Sequence, residues 1–268
     1  MAKFYPLFSS SQANASYIGN SQAGILVDAG ASCKKILSAL SCNDIRTDCI
    51  QGIFVTHTHS DHIKGLKALV RKLKVPVYGT PETLEFLTHA GDKYLSPGTE
   101  LIRMDPRKNP DTCIVCGDCE VRAFPTIHDE PGSCGYRIRT RDDKSCAVCT
   151  DLGIVTPEVR DALTGCDMIL LESNYEPDLL WQGGYPYQLK QRISSDQGHL
   201  SNQDCADFSD YLIRTGTTRL LLGHLSQNSN TPELAARTTI TTLTEYIIGT
   251  DYLLGVAPVE TPGGAVIF

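Results

Sequence analysis

With 268 residues and 41% hydrophobic side chains, the chain has ample material for a buried core, which excludes a disordered polymer. No apolar run approaches the roughly 18 residues of a membrane span, so no membrane partner is expected. A net charge of −7 and a pI near 5.5 exclude a broad nucleic-acid-coating surface, but leave room for a local basic groove or a metal that holds phosphate itself.

The start, MAKFYPLFSSSQANAS, has no apolar signal core, so a cytoplasmic protein is expected. The 11 cysteines then read as reduced thiols rather than disulfides. Residues 23–28 (AGILVD) read as a strand and 31–40 as a short helix. Residues 52–56 (GIFVT) form a buried strand pattern, and Ile63, Leu66, Leu69, Val70 and Leu73 recur at helical spacing after it. Pro76 ends that helix. Residues 77–78 read as a strand and 80–90 as a helix with Pro81 in its first turn. Between 100 and 150, short runs (CIVC, CEVRAFPTI, CGYRIRT, SCAVCT) separated by Gly/Asp turns predict antiparallel strands. Residues 157–164 predict a helix and 168–171 a strand, followed by a long connection over 176–198 rich in Gly, Tyr, Pro and Gln. Helices over 202–214 and 232–248, the second capped by Thr231, alternate with strands over 219–222 and 252–256. Helices and strands in both halves predict a layered α/β sandwich in a single domain over 1–268.

The stretch VTHTHSDHIKG, residues 55–65, places three of the chain's seven histidines and an aspartate just after a strand. Loops at strand ends are where α/β sheets display functional side chains. His57 and His59 alternate with Thr58 and share a face of extended backbone, whereas Asp61 and His62 lie where the next helix begins. Two ligand sets from one loop suit two neighbouring metal ions. Imidazole and carboxylate suit Zn²⁺, and also Mn²⁺ or Fe²⁺. His128, Asp151 and His224 each follow an apolar run in the same way, although an isolated Asp or His there is more often a turn cap or a hydrogen-bonded loop residue.

HTHSDH resembles the H-x-H-x-D-H motif of the metallo-β-lactamase fold superfamily, and LVDAG, FPTIHD, CAVCTDLG and LLLGHLS follow in that family's order. SSSQANASYI, QRISSDQGHLSN and LGHLSQNSNTPELA are most similar to its WalJ/YycJ-like branch. The resemblance implies a four-layer αββα sandwich. It implies that His57, His59 and His128 hold one divalent ion, that Asp61, His62 and His224 hold a second, and that Asp151 lies between them. It also implies a DNA-directed, 5′-to-3′ exonuclease-type activity.

Paired divalent ions acidify a shared water and stabilise charge on attacking and leaving oxygens. Such a centre serves phosphodiesters, thioesters or lactams. The paired Asp61 and His62 and the short stretch after His224 favour phosphodiesters, with nucleic acid as partner. A small cyclic or nucleotide phosphodiester, a thioester or a lactam are the alternatives. Further roles stay open at this point. His199 either donates a proton to the leaving oxygen or precedes the Ser201/Asn202 helix entry. Lys64, Lys67 and Arg71 fall on one helix face, which either guides phosphates or is simply solvated. Arg192 and Asn174 are candidate substrate contacts, Arg192 being equally suited to a salt bridge. Tyr185 and Tyr187 suit base stacking or core cover. Asp28 and Glu172 are placed behind the ligands, orienting them. Cys113, Cys116, Cys119, Cys146 and Cys149 have zinc-knuckle spacing, but on strands residues three apart face opposite ways, so packing is the expected role and zinc or redox sensing the rival.

Overall fold

The computed structural model describes residues 3–260 and 264–268. Extended and helical segments alternate through the first half: β1 (Lys3–Ser10), β2 (Ala13–Gly19), β3 (Gly24–Val27), α1 (Cys33–Cys42), β4 (Ile50–Phe54), α2 (Ser60–Ile63), α3 (Leu66–Leu73), β5 (Val77–Gly79), α4 (Pro81–Ala90) and β6 (Leu101–Arg103). The second half runs β7 (Cys113–Cys116), β8 (Cys119–Pro125), β9 (Cys134–Thr140), β10 (Ser145–Cys149), α5 (Pro157–Leu163), β11 (Met168–Glu172), α6 (Pro177–Gln182), α7 (Tyr187–Ile193), α8 (Asn202–Arg214), β12 (Arg219–Gly223), α9 (Pro232–Thr242), β13 (Leu253–Val256) and β14 (Val266–Ile267).

These strands build two sheets, ordered β14-β1-β2-β3-β4-β5-β6 and β13-β12-β11-β10-β9-β8-β7. Each is antiparallel on one flank and parallel on the other. β3 to β6 run parallel in the first and β10 to β13 in the second. Phe4, Ile25 and Phe54 of one sheet meet Tyr136, Val148 and Leu221 of the other in a shared core. The outer face of the first sheet packs Leu26 and Ile53 against Ile36, Leu66, Leu69 and Leu84 of its helices. The outer face of the second packs Ile169 and Leu222 against Val159, Phe208 and Leu212. Three apolar layers between four structural layers make an αββα sandwich, as the sequence implied.

Several boundaries differ from the sequence expectation for identifiable reasons. β1 and β2 form a hairpin where no strand was expected. Both are buried on both faces, so they show no polar/apolar alternation, and Pro6 sits at a register break where no ladder donor is needed. The helix after the histidines is broken at Gly65, whose N–H donates to Ala29 O at 2.8 Å and whose missing side chain would lie 2.0 Å from Ala31 O. The 176–198 connection contains α6 and α7, separated by Gly183 and Gly184. The last expected helix ends at Thr242 rather than at residue 248, after a run of β-branched residues (TTITT) that favours helix poorly. Helix starts follow the expected chemistry: Thr80, Thr156 and Thr231 cap α4, α5 and α9 with proline at the first turn, and Ser201 and Asp204 form a capping box on α8.

The cysteines pack as small apolar residues. Cys116, Cys119 and Cys146 lie between the sheets, whereas Cys149, three residues after Cys146, faces the outer layer with Cys166 and Cys205. Strand alternation therefore separates Cys113 from Cys116 and Cys146 from Cys149, whereas Cys116 and Cys119 face each other across the β7–β8 hairpin. Burial pushes the Cys119, Cys134 and Cys205 thiols up to about 12, which keeps them protonated and unreactive. In a thiol-labelling time course on the folded protein, exposed Cys42 and Cys113 should react first and half-buried Cys33 slowly. The remaining eight should react only after denaturant is added, and early labelling of Cys146 or Cys149 would refute this packing.

Candidate metal centre

The carboxyl ends of the parallel strands converge on one edge of the sandwich. Asp28 follows β3, the histidine loop follows β4, Asp151 follows β10, Glu172 ends β11, and His224 follows β12. β8 runs in the same direction as β10 and delivers His128 to the same edge. Asp28, Asp151 and His224 have positive φ (64°, 60° and 55°), a left-handed conformation that costs a non-glycine residue about 1 kcal/mol. Each sits where a strand turns sharply, and the turn aims its side chain at the common point.

His57 and His59 approach as Nε2 to Nδ1 at 3.0 Å, and His128 Nε2 lies 3.3 Å from the same His59 Nδ1. On the other side, His62 Nε2 is 3.3 Å and His224 Nε2 3.5 Å from Asp61 Oδ2. Asp151 stands between them. Its Oδ2 is 3.2 Å from His62 Nε2, and its Oδ1 is 3.5 Å from His224 Nε2 and 3.8 Å from His128 Nε2. All seven residues expected as ligands are thus brought together. Four overlapping sets have donor atoms within 4.8 Å of one another: His57/His59/His128, His57/His62/Asp151, Asp61/His62/His224, and Asp151/Glu172/His199/His224.

The opposite nitrogens of His62, His128, His199 and His224 are tied down. His62 Nδ1 meets Asp28 Oδ2 at 2.8 Å, and Asp28 also accepts from the N–H and hydroxyl of Thr56. His224 and His199 both direct Nδ1 to Glu172 Oε1 at 2.8 Å. Glu172 Oε2 accepts the N–H groups of Leu152 and Leu200 at 3.1 Å. His128 Nδ1 donates to Gly198 O at 2.9 Å. With these N–H groups committed, His62, His128 and His224 present Nε2 lone pairs to the centre whenever their rings are neutral, the form a metal requires. Asp28 and Glu172 accordingly lie behind the histidines, where the sequence placed them.

The fit to a cation shows in what is left over. Asp151 Oδ2 and His224 Nε2 are buried with no hydrogen-bond partner among the described residues. The His62 contact to Asp151 is close but lacks hydrogen-bond geometry. Orphaned buried donor atoms of this kind are costly without a ligand. Imidazole and carboxylate are the donors that divalent metals take. The cluster fits a divalent-metal centre.

Without a cation, the carboxylates draw protons onto part of the cluster. Burial would depress His224, but Asp151, Asp61 and Glu172 lift it to about 10. Burial likewise opposes the proton on His62, and Asp151, Asp28 and Asp61 override it to raise its pKa well above normal. His57 goes the other way, held neutral by burial and by neighbouring His62. Against burial, His199 and His224 draw Glu172 down to about 2.

Other expected site residues contribute no donor to the four sets. Asn174 is buried, and its amide donates to His224 O at 2.8 Å, so it steadies the histidine's backbone rather than facing substrate. Arg192 is already clamped by Asp129, whose other oxygen lies 3.1 Å from His128 Nε2. Lys64 is exposed at the end of α2. Tyr185 accepts a hydrogen bond from Asn228, and exposed Tyr187 packs near Trp181.

Sequence reasoning missed four residues that touch the centre. Asn14, in the β1–β2 hairpin, places its amide nitrogen 3.1 Å from Asp61 Oδ2 and 3.0 Å from His62 Nε2. Ser9 Oγ accepts the His224 N–H at 2.9 Å. Asp129 and Glu130 each lie 3.5 Å from His59 Nε2. The stretch SSSQANASYI supplied the only signal for the first two, as a family resemblance with no role attached.

A family model described as a beta-lactamase superfamily domain matches residues 24–225. The chain belongs to the metallo-β-lactamase fold superfamily. Within it, the chain is WalJ/YycJ-like. It is 35% identical over 251 residues to exodeoxyribonuclease WalJ of Streptococcus pneumoniae, covering 92% of this chain and 90% of that one. It is 34% identical to exodeoxyribonuclease YycJ of Bacillus anthracis, covering 87% and 85%. Among solved structures, the metallo-β-lactamase fold protein YhfI of Bacillus subtilis shares the fold at a TM-score of 0.70 and 18% identity, covering 97% of both chains.

Metal uptake displaces the protons of His62 and His224, so affinity should rise with pH through the neutral range towards 10. Titration calorimetry in buffers of different ionisation enthalpy reads those protons directly, and a buffer-independent enthalpy would contradict this. Glu172→Gln removes the charge that both His199 and His224 lean on. It should weaken metal binding by about 10- to 100-fold while the protein stays folded.

Proposed function

We propose that the chain is a dinuclear metal-dependent phosphodiesterase that removes nucleotides from DNA, an exonuclease of 5′-to-3′ type. The observation that carries the proposal is the Asp151 carboxylate, set between a His57/His59/His128 group and an Asp61/His62/His224 group in a chain related along most of its length to two exodeoxyribonucleases. His57, His59 and His128 would hold one ion, Asp61, His62 and His224 the other, and Asp151 both, with zinc or manganese the best match to the donors and iron acceptable. Bound there, the ions supply Lewis acidity, which lowers the pKa of water towards neutrality and offsets charge on the attacking and leaving oxygens.

The remaining work falls to the chain itself. Glu172 and Asp28 hold the rings of His224 and His62 in one tautomer and one orientation. His199 shares Glu172 through Nδ1, leaving Nε2 to pass a proton to the departing oxygen. It also lines a cavity of about 450 Å³ with Ile154, Val155 and Phe208, whose walls include none of the seven expected metal ligands. Among the described residues no helix is long and apolar enough to cross a membrane.

Two variants separate the roles. Asp61→Ala should lose about one metal equivalent and nearly all hydrolysis of end-labelled DNA. His199→Ala should keep its metal content and lose about 10²- to 10⁴-fold in kcat. Paired assays with bis-p-nitrophenyl phosphate and a glutathione thioester decide the substrate class. Turnover of the thioester alone would overturn the phosphodiesterase assignment.

A further inference from the structure

In this acidic chain, two stretches carry cations and no anions. Residues 29–43 contain Lys34 and Lys35 but no Asp or Glu, and residues 62–81 contain Lys64, Lys67, Arg71, Lys72 and Lys74 but again no Asp or Glu. The fold places these stretches side by side. α1 and α3 pack next to each other on the outer face of the first sheet, burying Ile36 and Leu40 with Leu66, Leu69 and Val70 in one core. Their lysines and arginine lie on the opposite, exposed side. Lys72 approaches Cys33 of α1 closely enough to oppose the upward push of burial on its thiol.

Both helices also begin at the metal centre. Ala29 N–H donates to His62 O at 2.7 Å and Gly65 N–H donates to Ala29 O at 2.8 Å, locking the start of α1 to the turn that carries Asp61 and His62. A side chain on Gly30 would lie 1.5 Å from Asp61 O, so the two backbones touch there. The cationic surface therefore starts within two residues of a candidate ligand, at Lys64, and runs outward along two helices.

Its charges are largely unspent. Among the described residues, none of Lys34, Lys64, Arg71, Lys72 and Lys74 has an ion-pair partner. Lys35 is the exception, paired with Glu260, and Lys67 donates to Asp92 O after α4. Lys67 thus ties the surface to the segment that follows α4. Like charges gathered on one face repel each other, and a row of phosphates relieves that repulsion while releasing counterions.

We infer that the α1–α3 surface is a docking track for the phosphate backbone of a DNA strand, leading the chain end to the metal centre. The inference rests on the DNA exonuclease assignment above, and goes beyond it by placing the uncut part of the strand. It accounts for binding by a protein of net negative charge: the positive field is confined to one face adjoining the reaction site.

The test is the triple variant Lys34→Gln, Arg71→Gln, Lys72→Gln in the metal-loaded protein. All three positions are exposed and none touches the donor cluster. Binding of a fluorescein-labelled 30-nucleotide strand should weaken by about 10-fold or more near 0.1 M salt. The slope of log affinity against log salt should fall by about 2, at roughly 0.7 for each phosphate no longer neutralised. Turnover of bis-p-nitrophenyl phosphate should stay at the wild-type level, which also reports an intact fold. Unchanged strand affinity and salt slope would overturn the track while leaving the exonuclease assignment standing. Weakened strand binding in the variant, with neither protein degrading DNA, would support the track and overturn the exonuclease. If the variant instead loses binding only to phosphatidylglycerol vesicles, the surface serves an anionic membrane and the inference is wrong.

Discussion

Everything at the functional edge follows from crowding lone pairs into a buried space. His57, His59 and His128 point ring nitrogens at one another across 3.0 and 3.3 Å, and Asp151 faces His62, His128 and His224. With the outer nitrogens committed to Asp28, Glu172 and Gly198, the inner Nε2 atoms of neutral His62, His128 and His224 carry lone pairs that face carboxylate oxygens or another ring. A cation resolves the conflict because it accepts several lone pairs at once. The fold's contribution is to hold His62, His128 and His224 from behind, so that these rings cannot relax by turning away.

The anchoring uses both halves of the sandwich. Each sheet is parallel on one flank, and its parallel strands end at the shared edge. Each half therefore contributes donors that are far apart in sequence. The left-handed residues Asp28, Asp151 and His224 are local conflicts accepted for this purpose, tolerated because all three are buried and Asp28 and His224 are hydrogen-bonded on several sides. The β1–β2 hairpin fastens the halves together at the centre: Asn14 reaches Asp61 and His62 of one half, and Ser9 holds the backbone of His224 in the other.

How much of this the sequence discloses depends on distance along the chain. The histidine loop was legible because its donors are neighbours on one strand-to-helix turn, where spacing and geometry are the same thing. Asp151, His224 and His128 were legible through their place after apolar strands and through family resemblance. Asn14 and Ser9 were not, because serine and asparagine in a polar stretch look like turn residues. Their roles exist only after partners 47 and 215 positions away arrive. The hairpin carrying them escaped for a related reason: strands buried on both faces leave no alternating pattern. Arg192 and Asn174 show the converse limit. Their chemistry suits a substrate, yet Asp129 takes the first and the backbone of His224 the second. The basic face of α3 was visible as a helix stripe, but only the packing of α1 beside it reveals a surface two helices wide.

The thiols set a condition on how the molecule survives stress. Eight cysteines are buried, seven of them in apolar layers, several near one another across strands, and none forms a disulfide among the described residues. Once the layers separate, those sulfurs are free to ionise and to exchange with any oxidant, and the number of wrong pairings far exceeds the single unpaired native state. Recovery from denaturation is therefore a race between refolding and oxidation. Without a reducing environment the protein's durability is measured by how slowly it opens, rather than by the depth of its free-energy well.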